Sequence, residues 1–258
     1  MKKFNALFHK EWTEAWREKK LVWLPAVILL VTLLQPISLY FMPAILENSN
    51  NLPSGAVIEL PIPSGNEVLA GTLSQFHTIG TAIIVLACMN VIVQERNNGS
   101  LMQLFSRPVH TGTYIFSKWT MLVLLHLGAF TISYGAAWYY TNILFSDVSF
   151  SSVWKSCVIY CLWIVLIITV TLFVGTFLRR SGGVAGISIL IAASIAILSN
   201  IVPDIAIYLP SELLNLSTEL LNKNDGNTHI GAVLTTTVVL IVLLLLTMIK
   251  QFEKSVKF

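Results

Sequence analysis

Six long apolar stretches constrain the fold of this chain more than any other feature. Their residues do not alternate between apolar and polar types, as the strands of a membrane barrel must; LVWLPAVILLVTLL and TTTVVLIVLLLLTMI are two examples. Each stretch can cross about 30 Å of hydrocarbon as a helix. Lipid offers no hydrogen-bond partners to the backbone, so the stretches must be helices. The spans are expected near residues 21–42, 72–94, 118–141, 153–178, 184–202 and 229–250.

Composition places the chain among membrane proteins. Only 11% of its 258 residues are charged, whereas soluble domains carry about 25%. We expect one six-helix membrane domain over residues 21–258, preceded by an amphipathic helix over residues 1–20. The first apolar run is too long for a cleavable signal peptide. No basic cluster with interleaved aromatic residues indicates nucleic-acid binding.

The basic residues predict the orientation of the six spans. Six spans place both termini on the same side of the membrane. On that side lie 14 of the 16 Lys and Arg residues, and only Lys155 and Lys223 lie on the other. Cytoplasmic loops of membrane proteins are enriched in Lys and Arg. The charge distribution therefore predicts that both termini are cytoplasmic.

The first 20 residues, MKKFNALFHKEWTEAWREKK, have the pattern of an amphipathic helix. Phe4, Phe8, Trp12 and Trp16 recur every four residues and form an apolar stripe. Tryptophan is enriched at the depth of the lipid headgroups. We expect an interfacial anchor in contact with membrane lipid, and a second possibility is that this helix also borders the docking site of a partner subunit.

A second short helix is expected within LPSELLNLSTELLNK, on the outer side. Ser211 can cap it, and its apolar side would comprise Leu213, Leu214, Leu220 and Leu221. The helix could lie at the outer interface of the membrane or pack on the bundle, and the pattern does not distinguish these alternatives.

The polar segment between spans two and three predicts a short rigid helix on the cytoplasmic side. Asn98 or Ser100 can cap it, and Ser100 with Gln103 fits a capping box. Pro108 should end the helix, because the residue before a proline resists helical geometry, and Gly99 relaxes its entry. Leu101, Leu104 and Phe105 would give the helix an apolar face, flanked by Glu95, Arg96 and Arg107. This face can dock a partner, or the loop can fold back on the membrane.

Motifs for catalysis or phosphate binding do not occur in the chain. The sequence lacks G-x-x-x-x-G-K-[ST], G-x-S-x-G and H-E-x-x-H. No Asp, Glu, Lys or Arg is expected deep inside a span. A lone intramembrane histidine, such as His77 or His126, more often bonds a neighbouring helix than serves a function, and both alternatives stay open. The three cysteines lie inside apolar runs without companion ligands. We therefore expect no catalytic residue, bound cofactor or metal in this chain.

The same polar segment resembles the cytoplasmic signature of ABC-2 type transporter permeases. The resemblance rests on the order and spacing of Glu95-Arg96-x-x-Gly99-Ser100-Leu101-x-x-Leu104-x-Ser106-x-Pro108-Val109, with Lys118 soon after. The six spans and the amphipathic N-terminal helix are similar to that family as well. The chain departs from the family at Phe105, where a second leucine is usual, and at Asn97-Asn98, where acidic residues are common.

The resemblance implies a permease subunit of an ATP-driven exporter. Two separate ATPase subunits would bind ATP and Mg²⁺ and dock on the segment. A second copy of the chain, or a related permease, would complete the membrane unit. The docking residues implied by position are Glu95, Arg96, Gly99, Ser100, Leu101, Leu104, Phe105 and Pro108. The basic loops on one side, the expected absence of a signal peptide and the lack of paired extracytoplasmic cysteines suit a bacterial plasma membrane. The alternative is a membrane scaffold or regulatory protein that holds a cytoplasmic partner and transports nothing.

Overall fold

The computed structural model describes residues 2–47, 63–106, 110–201, 208–222 and 230–256. Within these residues the regular secondary structure is helical throughout. Six helical segments are long and apolar enough to cross a membrane: Lys20–Ile45, Gly65–Asn97, Thr111–Leu144, Phe150–Phe177, Ser181–Ser199 and Ile230–Glu253. The expected all-α fold with six candidate spans is therefore confirmed.

The helices are numbered in chain order. Their bounds are α1 Lys2–Arg17, α2 Lys20–Glu47, α3 Gly65–Gln75, α4 Thr81–Cys88, α5 Val93–Asn97, α6 Ser100–Phe105, α7 Thr111–Leu144, α8 Phe150–Phe177, α9 Ser181–Ile201, α10 Glu212–Leu221 and α11 Ile230–Val256. A π-helical turn, Phe76–Gly80, joins α3 to α4, and span two comprises α3, this turn, α4 and α5. Spans one, three, four, five and six are α2, α7, α8, α9 and α11.

Two buried charged residues, Glu95 and Lys118, lie within the helices of spans two and three. Span three begins at Thr111 rather than near residue 118, so Lys118 lies about two turns inside its helix. Glu95 falls within span two, which extends to Asn97. Both side chains are buried, Lys118 at 2% exposure and Glu95 at 5%. Buried charges of this kind require partners.

Spans two, three and four form the centre of the bundle. Their apolar windows are 50%, 56% and 67% buried, compared with 22% for each of spans one, five and six. The central helix α8 packs against α4, α7, α9, α10 and α11. Spans one, five and six therefore expose wide apolar faces, as expected of helices that contact hydrocarbon.

Span two is irregular, although the sequence predicts one continuous helix there. Ser64 and Glu67 form a capping box at its start. Further along, a Cβ atom at Gly80 would lie 2.6 Å from the ring of the buried Phe76. The π turn brings the phenyl ring over this glycine, and π turns of this kind occur often at functional sites. The turn also carries His77.

The helix expected in LPSELLNLSTELLNK is α10, and it packs on the bundle. Leu213, Leu216 and Leu221 are buried, and α10 lies against α8 and α3. The predicted side-chain cap is wrong, because Ser211 occupies the N-cap position but makes no capping hydrogen bond. The helix therefore depends on its buried leucines more than on its cap.

Candidate functional site

Five polar side chains from α1, α5 and α7 meet at one end of the bundle. We refer to this end, where α1, the end of span two and the start of span three lie together, as the basic end. The charge cluster comprises Lys10, Glu11, Glu95, Tyr114 and Lys118. Lys118 Nζ donates to Glu11 Oε2 at 2.8 Å and lies 3.0 Å from Glu95 Oε1. Lys10 also donates to Glu95. The cluster thus joins the N-terminal helix to the end of span two and the start of span three.

Tyr114 completes the coordination of the Glu95 carboxylate. Its hydroxyl donates to Glu95 Oε2 at 2.5 Å. Its ring packs on Phe252 of α11, with 5.5 Å between the ring centroids. Both aromatic side chains are fully buried. Through Tyr114, the cluster therefore also contacts the end of span six.

The electrostatics of the cluster favour the charged form of Lys10. Burial lowers the pKa of the Lys10 ammonium group, but its hydrogen bond to Glu95 and the negative charges of Glu11, Glu95 and Glu14 outweigh burial and raise that pKa above its usual value. The Lys10 side chain is 42% exposed, whereas Lys118 is buried. Lys10 therefore stays charged throughout the neutral range and balances the buried carboxylates.

The carboxylates of the cluster already have cationic partners in the chain. Oxygens of Glu11, Glu14 and Glu95 lie within 4.8 Å of one another, a spacing that could hold a metal ion. Lys10 contacts all three carboxylates, and Lys118 contacts Glu11 and Glu95. The arrangement is consequently an ion-pair network that fixes helices relative to one another.

The buried face of α1 differs from the predicted aromatic stripe. Leu7, Glu11 and Ala15 are spaced four residues apart and are buried against the bundle. The sequence analysis did not place Glu11 on this face, where it is buried opposite Lys118 of α7.

The predicted aromatic residues form a row along the flank of α1. Phe4 stacks on Phe8, and Phe8 stacks on Trp12. Trp12 is 43% exposed and Trp16 is 66% exposed. The row continues onto α7, where Phe116 lies 5.9 Å from Phe4 between ring centroids. Exposed tryptophans in this row are compatible with the predicted lipid anchor.

Arg96 binds the end of span four. Its guanidinium group donates to the carbonyl of Thr176 at 2.8 Å and to that of Leu178 at 3.2 Å. Asn97 donates to the carbonyl of Arg179 at 3.4 Å. The last carbonyls of a helix lack partners within the helix, and a positive charge there is favourable. Arg96 therefore fastens the end of span two to the end of span four.

The loop helix α6 follows directly. Gly99 has a φ of +69°, a conformation that glycine adopts without steric cost. The predicted capping box at Ser100 is wrong, because Ser100 is the first residue of the helix and its hydroxyl donates to the carbonyl of Glu95 at 3.2 Å. Leu101 and Leu104 are half-buried and pack against the core, while Gln103 is exposed.

One predicted docking residue ends α6, and another lies outside the described residues. Phe105 is the last residue of α6. Pro108, predicted to end the helix, lies outside the described residues together with Arg107. Of the predicted set, Glu95 and Arg96 bind other parts of this chain. Gly99, Ser100, Leu101 and Leu104 form the turn and helix that project from them.

Sequence reasoning missed Glu11 and Tyr114 as members of the site and placed Lys118 at its edge. A lysine inside an apolar span is a signal in itself, because it needs an acidic partner. The prediction missed this signal because it began span three near residue 118, whereas the helix begins at Thr111. Nothing local to Glu11 reveals its partner, which lies 107 residues away.

A family model described as "Protein of unknown function (DUF2705)" matches residues 28–255. The chain belongs to the DUF2705 family. The match includes Glu95, Tyr114 and Lys118. This DUF2705 protein is also similar to a curated Bacillus subtilis (strain 168) protein named "Uncharacterized transmembrane protein YxlG". The two are 39% identical over 221 residues, which cover 86% of each chain. The name of that relative agrees with the six candidate spans found here.

Proposed function

We propose that this protein is the permease subunit of an ATP-driven ABC transporter and that it acts as an exporter. In this proposal the basic end faces the cytoplasm of a bacterial cell, and two separate ATPase subunits dock at α6. Those subunits bind ATP and Mg²⁺. A second copy of this chain or a related permease completes the membrane unit.

The observation that carries the proposal is the attachment of the segment around α6. Immediately before α6, Glu95 binds α1 and α7 through the charge cluster, and Arg96 binds the end of α8. Leu101 and Leu104 pack α6 itself against the core. A displacement of α6 would therefore act on the N-terminal helix and on spans two, three and four together. Such rigid attachment is what a permease needs to turn a push at its surface into movement of the bundle.

The resemblance to ABC-2 permeases indicates what would displace α6, namely a docked ATPase subunit. The motif that carries it falls on the residues that fix α6 to the bundle. The chain itself lacks a phosphate-binding loop. A separate ATPase is therefore the energy source in this proposal, and α6 is where its movement is received.

Copurification with a coexpressed ABC ATPase subunit tests this docking. Gln103→Asp places a negative charge on the exposed side of α6 without changing a core contact. We expect it to weaken ATPase binding about tenfold, which equals about 1.4 kcal/mol. Leu104→Asp should weaken it further.

The matched control is Asn215→Asp, which introduces the same charge at an exposed position on α10. It should copurify the ATPase subunit as the wild type does. Equal recovery of that subunit with Gln103→Asp, Leu104→Asp and wild-type protein would show that α6 is not the docking element.

The proposed orientation has its own test. His110 and Asn215 are both exposed, and His110 directly precedes α7 at the basic end. In intact cells, a membrane-impermeant maleimide should label Asn215→Cys and leave His110→Cys unlabelled until the membrane is permeabilised. The background is a variant in which the three native cysteines, Cys88, Cys157 and Cys161, are replaced. Labelling of His110→Cys in sealed cells would reverse the assigned orientation.

A further inference from the structure

A cavity of about 270 Å³ lies between span two, α8 and α9. Its walls come from residues 77–82 of span two, from Trp163, and from residues 189–197 of α9. His77 lies 12 residues after Gly65, which corresponds to about 18 Å along a helix. The cavity is therefore well inside the apolar thickness of the bundle and far from the charge cluster.

The cavity exists because small side chains face it. Ala192, Ala193 and Ala196 of α9 supply one wall. The opposite wall begins in the π turn Phe76–Gly80, where the widened backbone carries His77. Ala192 is only 5% exposed, whereas Ile197 at the rim is 56% exposed. The cavity thus has a buried floor and an opening at the outer surface of the bundle.

The cavity has few polar groups, and one of them makes no hydrogen bond within the described part of the chain. The His77 ring stacks on the Trp163 indole, with centroids 4.5 Å apart and planes 28° apart. The indole N–H is used, since it donates to Thr81 Oγ1 at 3.1 Å. In contrast, His77 Nδ1 is buried and has no hydrogen-bond partner in the described part of the chain. A buried polar atom without a partner is costly.

Stacking on Trp163 still allows the His77 ring to turn over. The stacking fixes the plane of the ring but does not determine which edge faces the cavity. The last side-chain torsion of histidine is broad and roughly two-fold. A rotation about that bond can therefore present either ring nitrogen to a molecule in the cavity.

We propose that this cavity binds a small, uncharged aromatic molecule that carries one hydroxyl group and enters from the membrane. The stacked His77–Trp163 pair offers a flat aromatic wall. Among the described residues, no charged side chain lines the cavity. A hydroxyl both donates and accepts, so it satisfies the imidazole in either tautomer. An apolar cavity of about 150 Å³ holds benzene, and the larger volume here suits a two-ring molecule.

This occupant fits the cavity better than the two alternatives. A lipid acyl chain would fill the apolar space but would leave His77 without a partner. A helix from a second copy of the chain could not reach the floor at Ala192, which is enclosed by this chain. The inference concerns binding alone, and it does not depend on α6 docking an ATPase.

Binding of radiolabelled 1-naphthol to the purified protein in lipid nanodiscs tests the inference. We expect saturable binding, with one molecule per chain, and displacement by unlabelled naphthalene with lower affinity. Ala193→Phe fills the cavity from an exposed position and should weaken 1-naphthol binding at least about tenfold. The control Leu190→Phe adds the same ring to α9 at a position that is 66% exposed and does not line the cavity, so it should bind as the wild type does.

His77→Phe separates the hydrogen bond from the aromatic wall. It should weaken 1-naphthol binding roughly fivefold to tenfold and leave naphthalene binding unchanged. Non-saturable uptake equal to that of empty nanodiscs would overturn the inference, as would equal binding by the Ala193→Phe and wild-type proteins. Altered copurifying lipid, or loss of a dimer, in Ala193→Phe with unchanged naphthol binding would assign the cavity to lipid or to a second copy instead.

Discussion

Replacing Glu95 with glutamine should lower the free energy of unfolding by about 3 kcal/mol, because it removes one of the two carboxylates that neutralise the buried Lys118. The side chain keeps its shape, so the change isolates the charge. Glu95 accepts hydrogen bonds from Lys10 and Tyr114 and lies 3.0 Å from Lys118 Nζ. Equilibrium unfolding of the purified protein in mixed micelles measures the loss.

Glu14→Gln is the matched control for this prediction. Glu14 also pairs with Lys10, at 3.6 Å, but its side chain is 38% exposed. Exposed pairs of this kind contribute less than about 1 kcal/mol. A loss with Glu95→Gln no larger than that with Glu14→Gln would mean that the charge cluster does not stabilise the bundle.

A double-mutant cycle shows whether Glu95 acts through Lys118. Lys118→Met removes the buried ammonium group. If the two charges interact, the double variant should be more stable than the sum of the single losses predicts, by about 1–2 kcal/mol. Strict additivity would assign the effect of Glu95 to Lys10 and Tyr114.

Replacing Arg96 with methionine should lower the free energy of unfolding by about 2 kcal/mol and loosen the end of span two from span four. The variant loses two charge-assisted hydrogen bonds and leaves the carbonyls of Thr176 and Leu178 without that donor. Unfolding in mixed micelles measures stability. In the proposed transporter, ATP hydrolysis stimulated by the permease should also fall, since α6 would be less firmly joined to the bundle.

The control for Arg96→Met is Arg180→Met. Arg180 is exposed near the same end of the bundle, so it tests loss of positive charge without loss of the helix contact. Arg96→Lys should retain part of the stability, because lysine keeps the charge but lacks the two-pronged geometry of arginine. The role assigned to Arg96 would be refuted if Arg96→Met and Arg180→Met were equally stable.

The spans could be predicted because each depends on local composition. A run such as LVWLPAVILLVTLL is apolar over its whole length, and hydrocarbon leaves it no alternative to a helix. The same reasoning found α1 and α10 from the spacing of their apolar residues. The described residues of the loop before α7 include a helix where the segment from Ser100 to Phe105 predicted one.

The site was only partly predictable, because its contacts join distant parts of the chain. Glu95 and Arg96 were selected by motif, but their partners, Lys118 of α7 and the end of α8, follow from helix packing. The π turn at His77 is equally hidden, since FHTIG lies inside the predicted span and carries no local signal for a π turn. Ser100 shows the opposite error: a local capping pattern was present, but the hydroxyl bonds the Glu95 carbonyl instead.

The charge cluster also imposes an order on the biosynthesis of the chain. The ribosome makes Glu11 107 residues before Lys118 and Lys10 85 residues before Glu95. Until those partners are made, Glu11 can pair only with Lys10 of its own helix, and burying that pair is costly. We therefore expect the N-terminal helix to stay at the membrane surface while spans one and two are inserted. It can take its final place only when span three arrives, so the first helix to be synthesised is among the last to be fixed.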